Sequence, residues 1–135
     1  MKFLLGLGYV AGALVVPALA GAQSLAPQTA WMNDHGSVLV IQSIAPDGRL
    51  TGTYSNSMPG TPCDNVAFPL TGWVDGERIT YSIRRKNASV DCGSVSSWTG
   101  YLVKGRIYAE WSTGQWDAHT GQALLTRGTD IYRPK

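Results

Sequence analysis

Residues 67–86 read AFPLTGWVDGERITYSIRRK. Two runs rich in β-branched and aromatic residues flank Asp75-Gly76, and Asp-Gly between strand-like runs is a tight-hairpin signal. The spacing predicts strands over 67–74 and 78–86. The second run ends in three consecutive cations, Arg84, Arg85 and Lys86. Successive side chains of a strand point to opposite faces. Arg85 therefore shares a face with Ile83 and Tyr81, while Arg84 and Lys86 point the other way.

The same punctuation continues in both directions. Further strands are predicted near 29–33, 37–44, 50–56, 94–103, 106–112 and 123–132. Between them stand Asp34-His35-Gly36, Pro46-Asp47-Gly48, the Pro59 to Pro62 segment, a loop over 87–93, Lys104-Gly105 and a long loop over 113–122. No stretch after residue 24 carries a helical period. Eight sequential strands with mostly short connections predict an all-β fold, an eight-stranded antiparallel up-and-down β-barrel. Closure removes the sheet edges that an open sandwich, the alternative, leaves to be covered.

The N-terminal segment differs in kind. Lys2 precedes an apolar run from Phe3 to Val16, followed by Ala18-Leu19-Ala20 and Ala20-Gly21-Ala22. This predicts a secretory signal peptide over 1–22 and one domain over 23–135, secreted or periplasmic and without a membrane anchor. Removing Lys2 leaves ten of the eleven Lys and Arg against nine Asp and Glu, a net charge of +1. Nucleic-acid binders carry a larger clustered basic excess, so no nucleic-acid partner is expected. Cys63 and Cys92, the two cysteines, read as one disulfide in an oxidising compartment, a free thiol pair being the alternative.

Alternation also sorts the polar residues. Ser94, Ser96 and Trp98 share a face, as do Tyr54 and Asn56; Trp111 and Asp130 lie on later strands. Turned inward, these groups must satisfy one another, hold water or receive a ligand. Turned outward, they make an ordinary polar surface with half-buried indoles. A barrel of eight strands is wide enough for one small molecule.

Leu50-Thr51-Gly52-Thr53-Tyr54-Ser55-Asn56 resembles a segment of the avidin and streptavidin family, and Trp31-Met32-Asn33-Asp34-His35-Gly36-Ser37 resembles that family's first strand. Leu70-Thr71-Gly72, Ser97-Trp98-Thr99-Gly100-Tyr101 and Gly128-Thr129-Asp130-Ile131-Tyr132 match further segments in order, so the resemblance covers about residues 29–133. It implies a biotin-binding protein with no cofactor and no catalysis. By position, Asn33, Ser37 and Tyr54 match donors to the ureido oxygen, and Asn56 and Asp130 match acceptors for the ureido N–H groups. Ser96 matches a hydroxyl near the ring sulfur and Ser94 one near the valerate carboxylate. Trp98 and Trp111 match two walls of an aromatic box.

Two departures stand out. The family has a tryptophan where this chain has Arg85, which places one cation of the triplet at the mouth of the implied pocket unless it turns to solvent. Gln122 stands where tetrameric members carry a lid tryptophan given to a neighbouring subunit. The Cys63/Cys92 pair and Asn56 instead resemble the dimeric bacterial avidins, so a homodimer is expected rather than a tetramer. HExxH, GxSxG, CxxC and phosphate-cradling loops are all missing from the sequence, and the only histidines, His35 and His119, fall in predicted loops. No enzyme activity and no metal site are expected. The functional alternative is a secreted β-barrel that inhibits or binds a protein through its loops.

Overall fold

The computed structural model describes residues 24–135. The expected signal peptide over 1–22 lies outside them. Eight strands follow in chain order: β1 (Thr29–Asn33), β2 (Val38–Ile44), β3 (Arg49–Ser55), β4 (Ala67–Asp75), β5 (Arg78–Lys86), β6 (Asp91–Val103), β7 (Arg106–Asp117) and β8 (Gln122–Pro134). Each pairs antiparallel with its successor, and β8 returns to β1 through Asn33↔Tyr132 and Met32↔Arg133, closing the barrel. This is the predicted up-and-down topology.

The hairpins show how local sequence sets register. Val103 pairs with Arg106, leaving Lys104 and Gly105 as a two-residue loop with φ of 49° and 73°. Positive φ at both positions matches the right-handed strand twist, and glycine takes up one of them without strain. At the β4–β5 hairpin Asp75 stays in the ladder opposite Arg78, so the loop is Gly76-Glu77 rather than Asp75-Gly76. The Arg78 guanidinium donates to the Asp75 carboxylate across this end at 2.8 Å.

One expectation fails. The long loop over 113–122 is instead a continuation of the β7–β8 ladder, paired from Thr113↔Thr126 to Asp117↔Gln122, with a turn over 118–121. Gly114 and Gln115 were weak strand formers, but backbone pairing between two neighbouring segments outweighs such propensities. Likewise β6 begins at Asp91, inside the predicted 87–93 loop.

Inward residues alternate along β3, β5 and the barrel-core parts of the other strands. Trp31, Leu39, Ile41, Leu50, Ile79, Leu102 and Ile107 build an apolar core. Along β5 the inward stripe runs Ile79, Tyr81, Ile83, Arg85, all buried, so it passes from apolar to cationic. The cation triplet thus divides. Arg84 and Lys86 are exposed, Lys86 lying 3.4 Å from Asp91, while Arg85 turns in. Its inward turn coincides with a break in register. Arg84 pairs with Val95 but Lys86 pairs with Asp91, an irregularity of the kind that re-aims side chains in sheets.

Candidate functional site

A cavity of about 280 Å³ opens inside the barrel, lined by Asn33, Ser37, Tyr54, Asn56, Arg85, Trp98, Trp111 and Asp130, with His35, Ser57 and Thr113 completing the wall. Eight of the ten ligand residues named from sequence therefore meet at one place, drawn from β1, β3, β5, β6, β7, β8 and the turns beside them. Inward alternation accounts for most of them. A larger surface groove over β4 to β8, including Trp73, Tyr101 and Tyr108, shares only Asp130 with this set.

One group of residues keeps its donors free. Asn33 Oδ1 accepts the backbone N–H groups of His35 and Ser37 at 3.0 and 2.8 Å, which fixes the amide and turns its NH₂ away from those contacts. Ser37 Oγ accepts the backbone N–H of Ser57 at 3.2 Å, leaving its own proton to donate. The Tyr54 hydroxyl joins these two in the cavity wall. Burial raises the Tyr54 phenol above the ordinary tyrosine range, so it stays protonated and able to donate.

Asp130 is the acceptor. Its Oδ2 receives the Trp98 indole N–H at 2.9 Å and the Tyr132 hydroxyl at 3.1 Å. The Tyr81 hydroxyl lies 2.7 Å from that of Tyr132. The Tyr132 hydroxyl also lies 3.4 Å from that of Tyr54. With its one proton on the nearer Asp130, Tyr132 accepts from Tyr81, and the chain runs from Tyr81 to Tyr132 to Asp130. Burial pushes both phenols above their usual range, so the chain is neutral up to the carboxylate. Asp130 Oδ1 has only His35 Nδ1, at 3.5 Å, and that ring also lies 3.3 Å from Asp34. Asp34, His35 and Asp130 are the one cluster of metal-ligand type among the described residues. Asp34 and His35 are exposed, and the ring between two carboxylates accounts for the grouping.

Aromatic rings fill the space behind. Trp98 stacks on Tyr81 at 4.9 Å and 13°, and tilts against Tyr54 at 4.4 Å. Trp111 pairs with Gly128 across β7 and β8, where any Cβ would fall 2.4 Å from the indole. Glycine there is what lets the ring lie across the neighbouring strand.

Ser94 and Ser96 do not line the cavity. Arg85 does, and it takes their hydroxyls: Nη1 donates to Ser94 Oγ at 3.2 Å and to Ser96 Oγ at 2.6 Å. Nε donates to Asn56 Oδ1 at 2.8 Å. The guanidinium also lies 6.0 Å from the Trp98 ring, within cation–π range. Burial lowers its pKa, with the Tyr54 hydroxyl acting in the opposite sense, but a guanidinium so far above neutral remains charged. Ser96 hydrogen-bonds to Thr113 as well. The sequence reading missed Thr113 because it lay in the supposed 113–122 loop. It missed Tyr132 and Tyr81 as supports of Asp130, although Tyr132 stands two residues from Asp130 on the same face. Cys63 and Cys92 are joined by a disulfide beside this end of the barrel, Cys92 lying two residues before Ser94.

The model of the Avidin family matches residues 21–132. Afifavidin of Afifella pfennigii is 27% identical over 111 residues, covering 79% of this chain and 68% of its own. Among solved structures, apo shwanavidin is similar at 34% identity and a TM-score of 0.73, covering 84% of this chain and 99% of that one. A rhizavidin–biotin complex is similar at 31% identity and a TM-score of 0.73, covering 84% and 97%.

Proposed function

The chain belongs to the avidin family, and from that premise we propose that it binds biotin, without catalysis, in the cavity between Asn33 and Arg85. The observation that supports this most is the convergence of the Asn33, Ser37 and Tyr54 donors and of Asp130 Oδ1, beside which stands only the exposed His35 ring among the described residues, on a single small cavity. Asn33, Ser37 and Tyr54 offer three donors to one carbonyl oxygen, which favours the polarised form of a urea. Asp130 Oδ1 offers a charge-assisted bond to a urea N–H. Trp98 and Trp111 give the apolar walls that the bicyclic ring requires. Asn56 is positioned as a second acceptor, with one lone pair already given to Arg85.

The mature protein in this reading is exported, begins at Gln23 and forms a homodimer. Titration calorimetry with biotin tests the function: a one-to-one isotherm per chain is expected, with a rise in melting temperature at excess ligand. Absence of both heat and thermal shift would refute it. On the same exported sample, an intact mass starting at Gln23 and a two-subunit mass in light scattering are expected. A leader-bearing chain or a four-subunit mass would count against those two points separately.

A further inference from the structure

Arg85 is buried, 5% exposed, yet every partner it has is neutral. Among the described residues no carboxylate pairs with it, although exposed Lys86, one residue on, has Asp91. Three of its five N–H groups are committed, one on Nε and two on Nη1. No hydrogen bond of the described residues uses Nη2, and no fully buried side-chain nitrogen there lacks a partner. Nη2 is therefore open to the cavity that the residue lines. A buried cation without a counter-charge is unfavourable, and an anion brought by a ligand relieves that cost.

The charges in the cavity are arranged in sequence. Trp98 donates to Asp130 from its indole N–H and has the Arg85 guanidinium within 6.0 Å of its ring, so one indole spans the distance between acceptor and cation. The ligand that fits both carries N–H groups at one end and an anion a few atoms away. With Nε and Nη1 committed, a carboxylate meets the guanidinium through Nη2 alone, a charge-assisted contact rather than a two-nitrogen fork.

We infer that Arg85 is a specificity-determining residue that makes the cavity select ligands ending in a free carboxylate over the same ligands capped as amides. The inference rests on the biotin reading, in which the contrast lies between free biotin and biotin joined to an amine. Ser94 and Ser96 orient the guanidinium, and Asn56 holds its Nε side, so the cation is fixed before the ligand arrives. The carboxylate is recognised through Arg85 and not directly by the two serines.

The test is to measure dissociation constants of wild type for biotin and for biotinyl-lysine, with Arg85→Gln and Arg85→Lys alongside. Wild type is expected to favour biotin by about tenfold or more, as for a hydrogen bond to a charged group. R85Q should lose that preference by weakening biotin alone, and R85K should retain part of it. Equal wild-type affinities for the two ligands would overturn the selectivity and leave biotin binding standing. Tighter binding of both ligands by R85Q would identify Arg85 as a plug that any ligand must displace, also against the inference. Binding of neither ligand by wild type would remove the biotin reading itself, and the inference with it. The wild-type comparison needs no variant, so a misfolded R85Q does not blunt the test.

Discussion

Asp130 and Arg85 line one cavity and are almost equally buried, at 4% and 5% exposed, but the barrel holds them differently. Asp130 receives bonds from an indole and a phenol whose remaining atoms belong to the aromatic core. Both bonds fall on Oδ2, so among the described residues Oδ1 has only the His35 ring, at 3.5 Å. Arg85 is held by the side-chain oxygens of Asn56, Ser94 and Ser96. The guanidinium thus has three polar side chains as its support. Buried polar groups demand partners, and a guanidinium with five donors takes whatever acceptors are nearest.

The covalent tie near Arg85 should produce the largest effect. Cys63 lies beyond Asn56 and Cys92 just before Ser94, so the disulfide spans the two segments that hold the guanidinium. Their separation of 29 residues corresponds to about 3–4 kcal/mol in the chain-entropy account. Cys63→Ser with Cys92→Ser should lower unfolding free energy by that amount in urea and raise the slope, because the chain without the crosslink unfolds to a more open state. An unchanged midpoint would show that barrel closure alone supports the Arg85 side. The contrast between the two charges would then be one of hydrogen bonding only.

Asp130→Ala comes next. Removing a charge-assisted acceptor from a buried N–H is expected to weaken ligand binding by about 1.5–3 kcal/mol. In the proposed pose Asp130 does not meet the carboxylate end, so biotin and biotinyl-lysine should lose the same amount by calorimetry. A loss confined to one of them would mean that the two charges act on the same part of the ligand. Their separation by the Trp98 indole would then have no functional meaning.

How much of this was visible in the chain itself follows the same division. Period-2 alternation places Asn33, Tyr54, Trp98 and Asp130 inside once a barrel is accepted, because inward residues two apart share a face. It also turns Arg85 inward with Ile83 and Tyr81. What alternation cannot state is which acceptor an inward donor will choose. The capture of Ser94 and Ser96 follows from the pairing of Ile83 with Ser96 and of Arg84 with Val95, a feature of two strands rather than one. Thr113 was hidden for a related reason: glycine, glutamine and aspartate read as loop, while the β7–β8 ladder simply continued through them. The Tyr81–Tyr132–Asp130 chain was hidden because Tyr81 lies far from the other two in sequence and both phenols look, singly, like core.

The smallest effect expected concerns the other indole of the cavity wall, Trp111. Gly128 stands opposite Trp111, and a Cβ there would lie 2.4 Å from the indole, closer than side chains tolerate. In Gly128→Ala the backbone of β8 is fixed by its ladder to β7, so the indole is what gives way. A displaced ring loses part of its contact with the ligand, worth about 0.5–1.5 kcal/mol for an aromatic wall. The hydrogen-bond partners of Asp130 and Arg85 are untouched by the change. Binding of biotin and biotinyl-lysine should therefore weaken together by that amount, leaving their ratio as in wild type. Dissociation rates for both ligands measure it. A changed ratio would show that Trp111 helps to place the carboxylate, so that selectivity belongs to the wall as well as to the guanidinium.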